Sequence, residues 1–501
     1  MILQSCVIVL VSNLLLCCAG ARNVVSVTEY YRMPPLYAMD NYEECLAHES
    51  GQYCVFAAEI IPEPGNDVID LITESSRNRM IQFNHSRIER GLCVTRTCKR
   101  HINEMSVVAV LEACLNQTIH HEYGVQIKVT NVYYCHSSDI TTEVEVDVDD
   151  WLFGGAVFLI ILLNAFGTFY DFNLQSKTKA IGNPYILSFS IFQSWNRLTV
   201  SEHKDSRFTK FKAVHAIRTI AIFFTVLQHA LWLTGCAFID NTRDFELTFD
   251  RPFFQTLYSG MAFIQLHFVI SGCLLMYTLK VEAEQQAVSW MMFPSAVVSR
   301  LGRILPAVIM LVWFTGTWFR HVGGGPLWPY HVGRVISDCR RYWWSHLFFF
   351  NNYLSANKAC AVQTWHVTAE IQMFVVALLV YLSTRRCGRT VAFVGMLVVG
   401  LVAPALHVWL QDLDGILLLS PELFRTLDSP DFRILHLYTH NYLVPFVTGI
   451  FLGEYIYYAP PAAHKLRKSK VQMTANLSHC NTPCKLQCKN DLDTTFSFQK
   501  Y

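Results

Sequence analysis

The stretch AVHAIRTIAIFFTVLQHALWLTG, residues 213–235, carries one permanent charge, Arg218, in an otherwise apolar run. It exceeds the roughly 20 residues that an α-helix needs to cross a bilayer. His229 lies eleven residues after Arg218, about three helical turns, so both side chains share one face about 16 Å apart along the axis. His215 and Thr225 fall on the same stripe, and the other faces are Ile, Phe, Leu and Val. Ionisable groups in a membrane helix are costly and face a protein interior or a water-filled cavity. Two readings follow: a hydrogen-bonding stripe between helices, or a polar path through the membrane with a histidine base in it.

The whole chain fits a membrane setting. Of its 501 residues 52% are hydrophobic and only 16% charged, with a mean hydropathy of +0.27; soluble chains are nearer a quarter charged. A net charge of +1 gives no case for a nucleic-acid partner. The fold expected is an α-helical polytopic membrane protein, with about seven spans after a signal peptide and a disulfide-stabilised extracellular N-terminal domain.

Residues 1–21 read as the signal peptide, with an apolar core from Val7 to Leu16 and small residues Ala19-Gly20-Ala21 after it. Residues 22–150 form the extracellular or lumenal cysteine-rich domain. Its six cysteines, Cys45, Cys54, Cys93, Cys98, Cys114 and Cys135, read as three disulfides with fifteen possible pairings. No C-x2-C pair occurs among them, which argues against zinc, and no metal is expected. Asn84 and Asn116 head glycosylation sequons in the same segment. Val107–Leu115 reads as a short helix, and Glu143–Asp150 as an acidic linker or a solvated edge strand.

Membrane spans are expected near 151–170, 213–235, 257–279, 304–318, 364–382, 391–410 and 438–458. Residues 151–210 hold the first span and a cytoplasmic linker, 211–458 the main membrane domain, and 459–501 a cytoplasmic tail. Trp343–Leu354 is apolar but too short to span, so it reads as re-entrant or interfacial. Basic residues concentrate in 171–210, at Arg385, Arg386 and Arg389, and in 465–470, which puts these segments inside and the N-terminal domain outside. The loop 320–363 is also basic yet falls outside on this map, where Cys339 and Cys360 can pair.

Several short signatures then line up in order. Tyr42-Glu43-Glu44-Cys45, Tyr53-Cys54 and Gly91-Leu92-Cys93-Val94-Thr95-Arg96-Thr97-Cys98 resemble the N-terminal domain of the nose-resistant-to-fluoxetine proteins, animal members of the acyltransferase-3 superfamily. Arg218 through His229 resembles the superfamily's Arg-x10-His signature, Phe268-Val269-Ile270-Ser271-Gly272 its F-x-x-S-G element, and Arg300-Leu301-Gly302-Arg303-Ile304-Leu305-Pro306 its R-x-x-R-I-x-P element. Thr364-Trp365-His366 with Glu370 and Gln372, and Pro445 through Gly453, resemble two further spans. Gln265-Leu266-His267-Phe268 departs from the family's acid-x-Phe-Phe. Family members also continue for several more spans, so the chain is expected to be a shortened, weakly active form.

The resemblance implies an integral-membrane O-acyltransferase using acyl-CoA as donor and a hydroxyl acceptor, in the plasma membrane or endoplasmic reticulum and among membrane lipids. His229 is the implied base, since neutral imidazole has the right pKa for it. Arg218 is a planar permanent cation suited to phosphate or a developing oxyanion. Arg300 and Arg303, at the cytoplasmic mouth, are the expected donor-binding residues. Ser271, Gly272, Gly449 and Gly453 read as close-packing residues, Trp365 as an interfacial anchor, and His366 with Glu370 as an i, i+4 pair. The competing classes are a non-catalytic lipid or small-molecule transporter on the same scaffold and a seven-span receptor. The 383–390 loop between spans five and six is too short to give a receptor much docking surface.

Overall fold

A computed structural model describes residues 25–101, 106–138, 145–175, 182–199, 206–258, 260–354, 360–384, 388–413, 415, 417, 420–425 and 432–459. The expected signal peptide and most of the tail lie outside the described residues.

The N-terminal domain is a four-stranded sheet in the order β1-β3-β2-β4, with β1 Tyr37–Met39, β2 Gln52–Ile61, β3 Arg87–Cys93 and β4 Gln126–Ser137. β1 runs parallel to β3, and β2 is antiparallel to both β3 and β4. Helices α1, Asp67–Arg77, and α2, Val107–Tyr123, cover one face. Ser106 caps α2 by accepting from Ala109 N, and Gly124 ends it in the left-handed region at φ 69°. The helix therefore runs two turns beyond the stretch read from sequence.

β2 is buried on both faces. Cys54, Phe56, Ala58 and Ile60 pack toward α1 and α2, whereas Tyr53 and Val55 pack with Phe238 and Leu327 of the membrane-domain loops. A strand covered on both sides shows no apolar-polar alternation. That is why this sheet leaves so little trace in the sequence.

All eight cysteines expected to be oxidised are paired, as Cys45–Cys93, Cys54–Cys135, Cys98–Cys114 and Cys339–Cys360. Asn84 and Asn116 are both half-buried. Asn116 bonds β4 in both directions, through Ile127 N and Ile127 O, and Asn84 Oδ1 accepts from Ser86.

The membrane part contains α3 Val148–Gln175, α4 Ile191–Thr199, α5 Lys212–Gly235, α6 Gly260–Gln285, α7 Met292–Gly316, α8 Trp365–Ser383, α9 Arg389–Gln411 and α10 Leu443–Tyr458. Six of these, α3, α5, α6, α7, α8 and α9, are long and apolar enough to cross a membrane. The expected seventh span is a 3-10 turn, Thr439–Tyr442, leading into α10, whose 16 residues reach only about 24 Å. The first span begins at Val148, so the last acidic residues belong to its opening turn and are neither linker nor strand.

α6, α8 and α10 form the bundle core through Phe268, Met276, Phe374, Leu378, Phe446 and Ile450. Small residues bring α6 and α10 together. A Cβ on Gly449 would sit 2.1 Å from Val269 O, one on Gly453 2.3 Å from Cys273 O, and one on Gly272 2.1 Å from Phe446 O. Close backbone approach of this kind is how membrane helices gain van der Waals contact. Gly449→Leu is therefore expected to abolish recovery of monodisperse protein in detergent, checked by fluorescence-detected size exclusion. Gly302→Leu, with open space at its Cβ on the outer surface of α7, should leave recovery unchanged.

The ectodomain docks on one end of the bundle. Tyr30 donates to Thr242 (3.0 Å), His85 Nε2 lies 2.8 Å from Glu246, and Phe83 N donates to the same carboxylate at 2.9 Å. Arg425 donates to Arg87 O (2.7 Å) and pairs with Glu89, and Tyr133 stacks on Tyr330 at 4.2 Å. The described parts of the loops 237–256, 320–363 and 411–437 thus lie on the ectodomain side; the first and last hold more acids than bases, whereas 320–363 is basic. The basic loop 320–363 has a physical reason to be there: Arg320 pairs with Asp147 and Asp150, and Arg340 with Asp147. At the opposite end Arg207 pairs with Glu284 and Lys280 with Glu454, both at 2.6 Å.

The 343–354 segment packs in short helical turns, Trp344–Leu347 and Asn351–Tyr353, against the ectodomain end of α8. Buried Asn352 donates to Leu437 O (3.1 Å) and Thr439 Oγ1 (2.8 Å), and Gln372 donates to Phe349 O at 2.6 Å. These bonds satisfy backbone that lipid alone would leave unpaired.

Candidate functional site

Polar side chains from four helices, α5 to α8, and from the turn Arg433–Leu437 form a line through the bundle. On the side opposite the ectodomain, Arg218 lies about 9 Å into α5 and Arg300 about 12 Å into α7, counted along each helix. Arg300 Nη2 donates to Glu370 Oε1, and Ser271 Oγ donates to the same oxygen at 2.9 Å. The Arg300 guanidinium also lies over the Phe374 ring, 4.3 Å from its centroid.

Two expectations are corrected here. Arg300 and Arg303 do not stand at a helix entrance, because α7 begins at Met292 and carries both inside. The apolar run read from sequence stops at the arginines; the helix continues because Glu370 from α8 supplies a counter-charge. Nor do His366 and Glu370 pair as helix neighbours. Glu370 is taken by Arg300 and Ser271, while His366 Nδ1 donates to Gln363 O at 2.9 Å. Ser271, read as a packing residue, is also one of the carboxylate's two donors.

Charge in this middle section is unbalanced. Arg300 interacts electrostatically with Arg218, Arg303 and one carboxylate, Glu370. Arg218 is half-buried and has no hydrogen-bond or ion-pair partner among the described residues. An unpaired guanidinium inside an apolar bundle is free to take an anion.

Toward the ectodomain the line becomes histidine-rich. His229 Nδ1 donates to Thr225 O (2.7 Å) and His267 Nδ1 to Phe263 O (2.9 Å), the same arrangement as His366. A carbonyl only accepts, so Nδ1 carries the proton in each neutral ring and Nε2 keeps its lone pair. His229 and His366 lie within electrostatic reach of each other and of His436. His366 is densely surrounded by protein yet exposed, as a side chain lining a crevice would be.

His436 sits in the turn Arg433–Leu437, just outside the spans, where burial and the neighbouring His229 and His366 hold its pKa at about 3. It is neutral at any physiological pH, bonded through Nδ1 to Tyr442 Oη at 2.9 Å. Trp365 packs on it with ring centroids 4.6 Å apart and is 4% exposed. The anchoring role expected for Trp365 is therefore corrected: it walls the histidine cluster, along with Phe268 and Tyr442. Trp232 extends that wall toward the docked ectodomain through Phe424 and Phe432.

His267 and His436 escaped the sequence reading. His267 stands where the resemblance called for an acid-x-Phe-Phe, which signals a changed site, and His436 lies in an aperiodic loop with no signal of its own. A separate hollow of about 250 Å3 in the ectodomain is lined by Asp40, Asn41, Glu44, Arg96 and Thr97, largely bonded to one another, and belongs to a different unit.

No family model matches the chain, and no solved structure matches it. Among curated proteins the chain is similar to Nose resistant to fluoxetine protein 6 of Caenorhabditis elegans, 26% identical over 324 residues. That alignment covers 58% of this chain and 37% of the relative, so the chain spans well under half of the protein it matches. The relative's name is that of the family expected from the motifs, and the disulfide-linked N-terminal domain fits it.

Proposed function

We propose that this chain acts as an integral-membrane O-acyltransferase, which takes an acyl group from a cytoplasmic donor of the acyl-CoA type and passes it to a hydroxyl acceptor. The carrying observation is the polar line itself: Arg218, with no hydrogen-bond or ion-pair partner among the described residues, near Arg300 and Arg303 at one end, and histidines whose Nδ1 atoms are held by backbone carbonyls at the other.

Geometry divides the labour. Arg218 and His229 stand about 16 Å apart along α5, too far for both to act on one carbonyl. Arg218 is therefore assigned the phosphate-bearing end of an elongated donor, and the oxyanion role weighed for it is dropped. His229 Nε2 removes the acceptor's hydroxyl proton as that oxygen bonds to the thioester carbon. The C–S bond breaks, and the proton leaves with the thiol. Arg300 and Arg303 add positive potential along the donor's path, and Glu370 fixes Arg300.

Arg218→Lys is expected to raise the donor KM at least tenfold, because lysine keeps the charge and loses the planar fork. Steady-state kinetics against donor concentration check this.

The reading as a whole is tested with the purified chain in sealed vesicles given radiolabelled acyl-CoA and a hydroxyl acceptor. Label recovered as an ester supports acyl transfer. Label recovered as intact donor across the membrane supports transport instead.

A further inference from the structure

The segment 183–199, between the first two spans, is unused by the site. In α4 the apolar residues Ile191, Phe192, Trp195 and Leu198 fall within an arc of about 120°. They are 60%, 49%, 65% and 82% exposed, and Tyr185 of the preceding turn, Pro184–Leu187, is 82% exposed. Gln193, Asn196 and Arg197 occupy the opposite side of the helix.

This segment is pinned beside the end of α3. Ser190 Oγ donates to Asp171 at 2.6 Å, both buried, and Ile191 N donates to Thr168 Oγ1 at 3.1 Å. Gly167 lets it approach, since a Cβ there would lie 2.8 Å from Ile186 O. Those contacts set α4 within about 12 Å of the end of α3, the depth of a headgroup region. The α3 helix that holds it is long and apolar enough to cross a membrane, and Phe166, Phe169 and Phe172 are exposed on the other side of that helix. The 171–210 segment carries six Lys or Arg against three Asp or Glu.

We propose that residues 183–199 form an amphipathic anchor lying in the leaflet opposite the ectodomain, its apolar arc in the acyl chains and its basic charge toward anionic headgroups. Attachment to the end of a membrane-crossing helix and the surplus of basic charge select lipid as the occupant. Nine residues are few for a free surface helix, but tethering to a span makes insertion intramolecular.

Photo-crosslinking of the full chain in phosphatidylcholine–phosphatidylserine vesicles tests this. A benzophenone amino acid replaces Leu198 or, on the other side, Asn196, with Trp195 as a second position on the apolar arc. The Leu198 and Trp195 probes are expected to give phospholipid-modified peptides, by mass spectrometry, in several-fold excess over Asn196. Equal lipid yields from both sides would overturn the proposal. So would a protein-sized adduct, a second copy or another chain, as the main product at Leu198 and Trp195.

Discussion

Glu370→Leu is expected to strip this protein of much of its stability, and Glu370→Leu with Arg300→Met to restore most of it. Glu370 Oε1 accepts from both Arg300 and Ser271 between α6, α7 and α8. Without the carboxylate, Arg300 keeps its cation–π contact with Phe374 but faces Arg218 and Arg303 with no counter-charge. Removing one partner of a fully buried pair costs about 3–5 kcal/mol, because the other charge is left desolvated and alone; this pair is partly buried, which makes that range an upper bound. Polar couplings in membrane bundles run smaller, averaging below about 1 kcal/mol, so the penalty here comes from the stranded arginine. Thermal melting of the detergent-solubilised protein checks the series. A single variant that melts like the wild type, or a double variant no better than the single, would contradict this account. The stable double variant is expected to have lost most of its activity, since the donor's path has lost a cation.

That pair also marks where the sequence stops being readable. The Arg218–His229 stripe is visible because both residues lie in one helix, where a spacing of eleven puts them on one face. The cysteines are visible by number and compartment, and two of the outer loops by charge, whereas 320–363 reads against its charge because Asp147 and Asp150 neutralise its arginines from a distance in sequence. Arg300 is misplaced from sequence because its partner comes from a helix 70 residues away and carries no local mark. His436 enters from a turn without periodicity, and Trp365 reads as an interfacial residue until Phe268 and Tyr442 are seen around it. The ectodomain sheet is hidden for a different reason. Its central strand is buried on one face by its own helices and on the other by the membrane domain it docks against.

His229 carries the chemistry in this account. Its Nδ1–H is committed to Thr225 O, so the ring is held in one tautomer with Nε2 as the acceptor, and it lies within electrostatic reach of His366 and His436. General-base catalysis contributes about 10²–10⁴ in rate, and His229→Ala is expected to lose turnover by that factor. The ectodomain disulfides and its docking do not involve this ring, so folding should be retained. If His229 were only a hydrogen-bonding residue between helices, the loss would appear as misfolded or undelivered protein, with activity per folded molecule preserved. The decisive measurement is a single-turnover assay with protein in excess over radiolabelled acyl donor, scored as labelled ester formed per folded, disulfide-intact molecule. Wild-type protein is predicted to transfer the label, and His229→Ala to transfer it at least a hundredfold more slowly. A His229→Ala protein that transfers label at the wild-type rate would contradict the assignment.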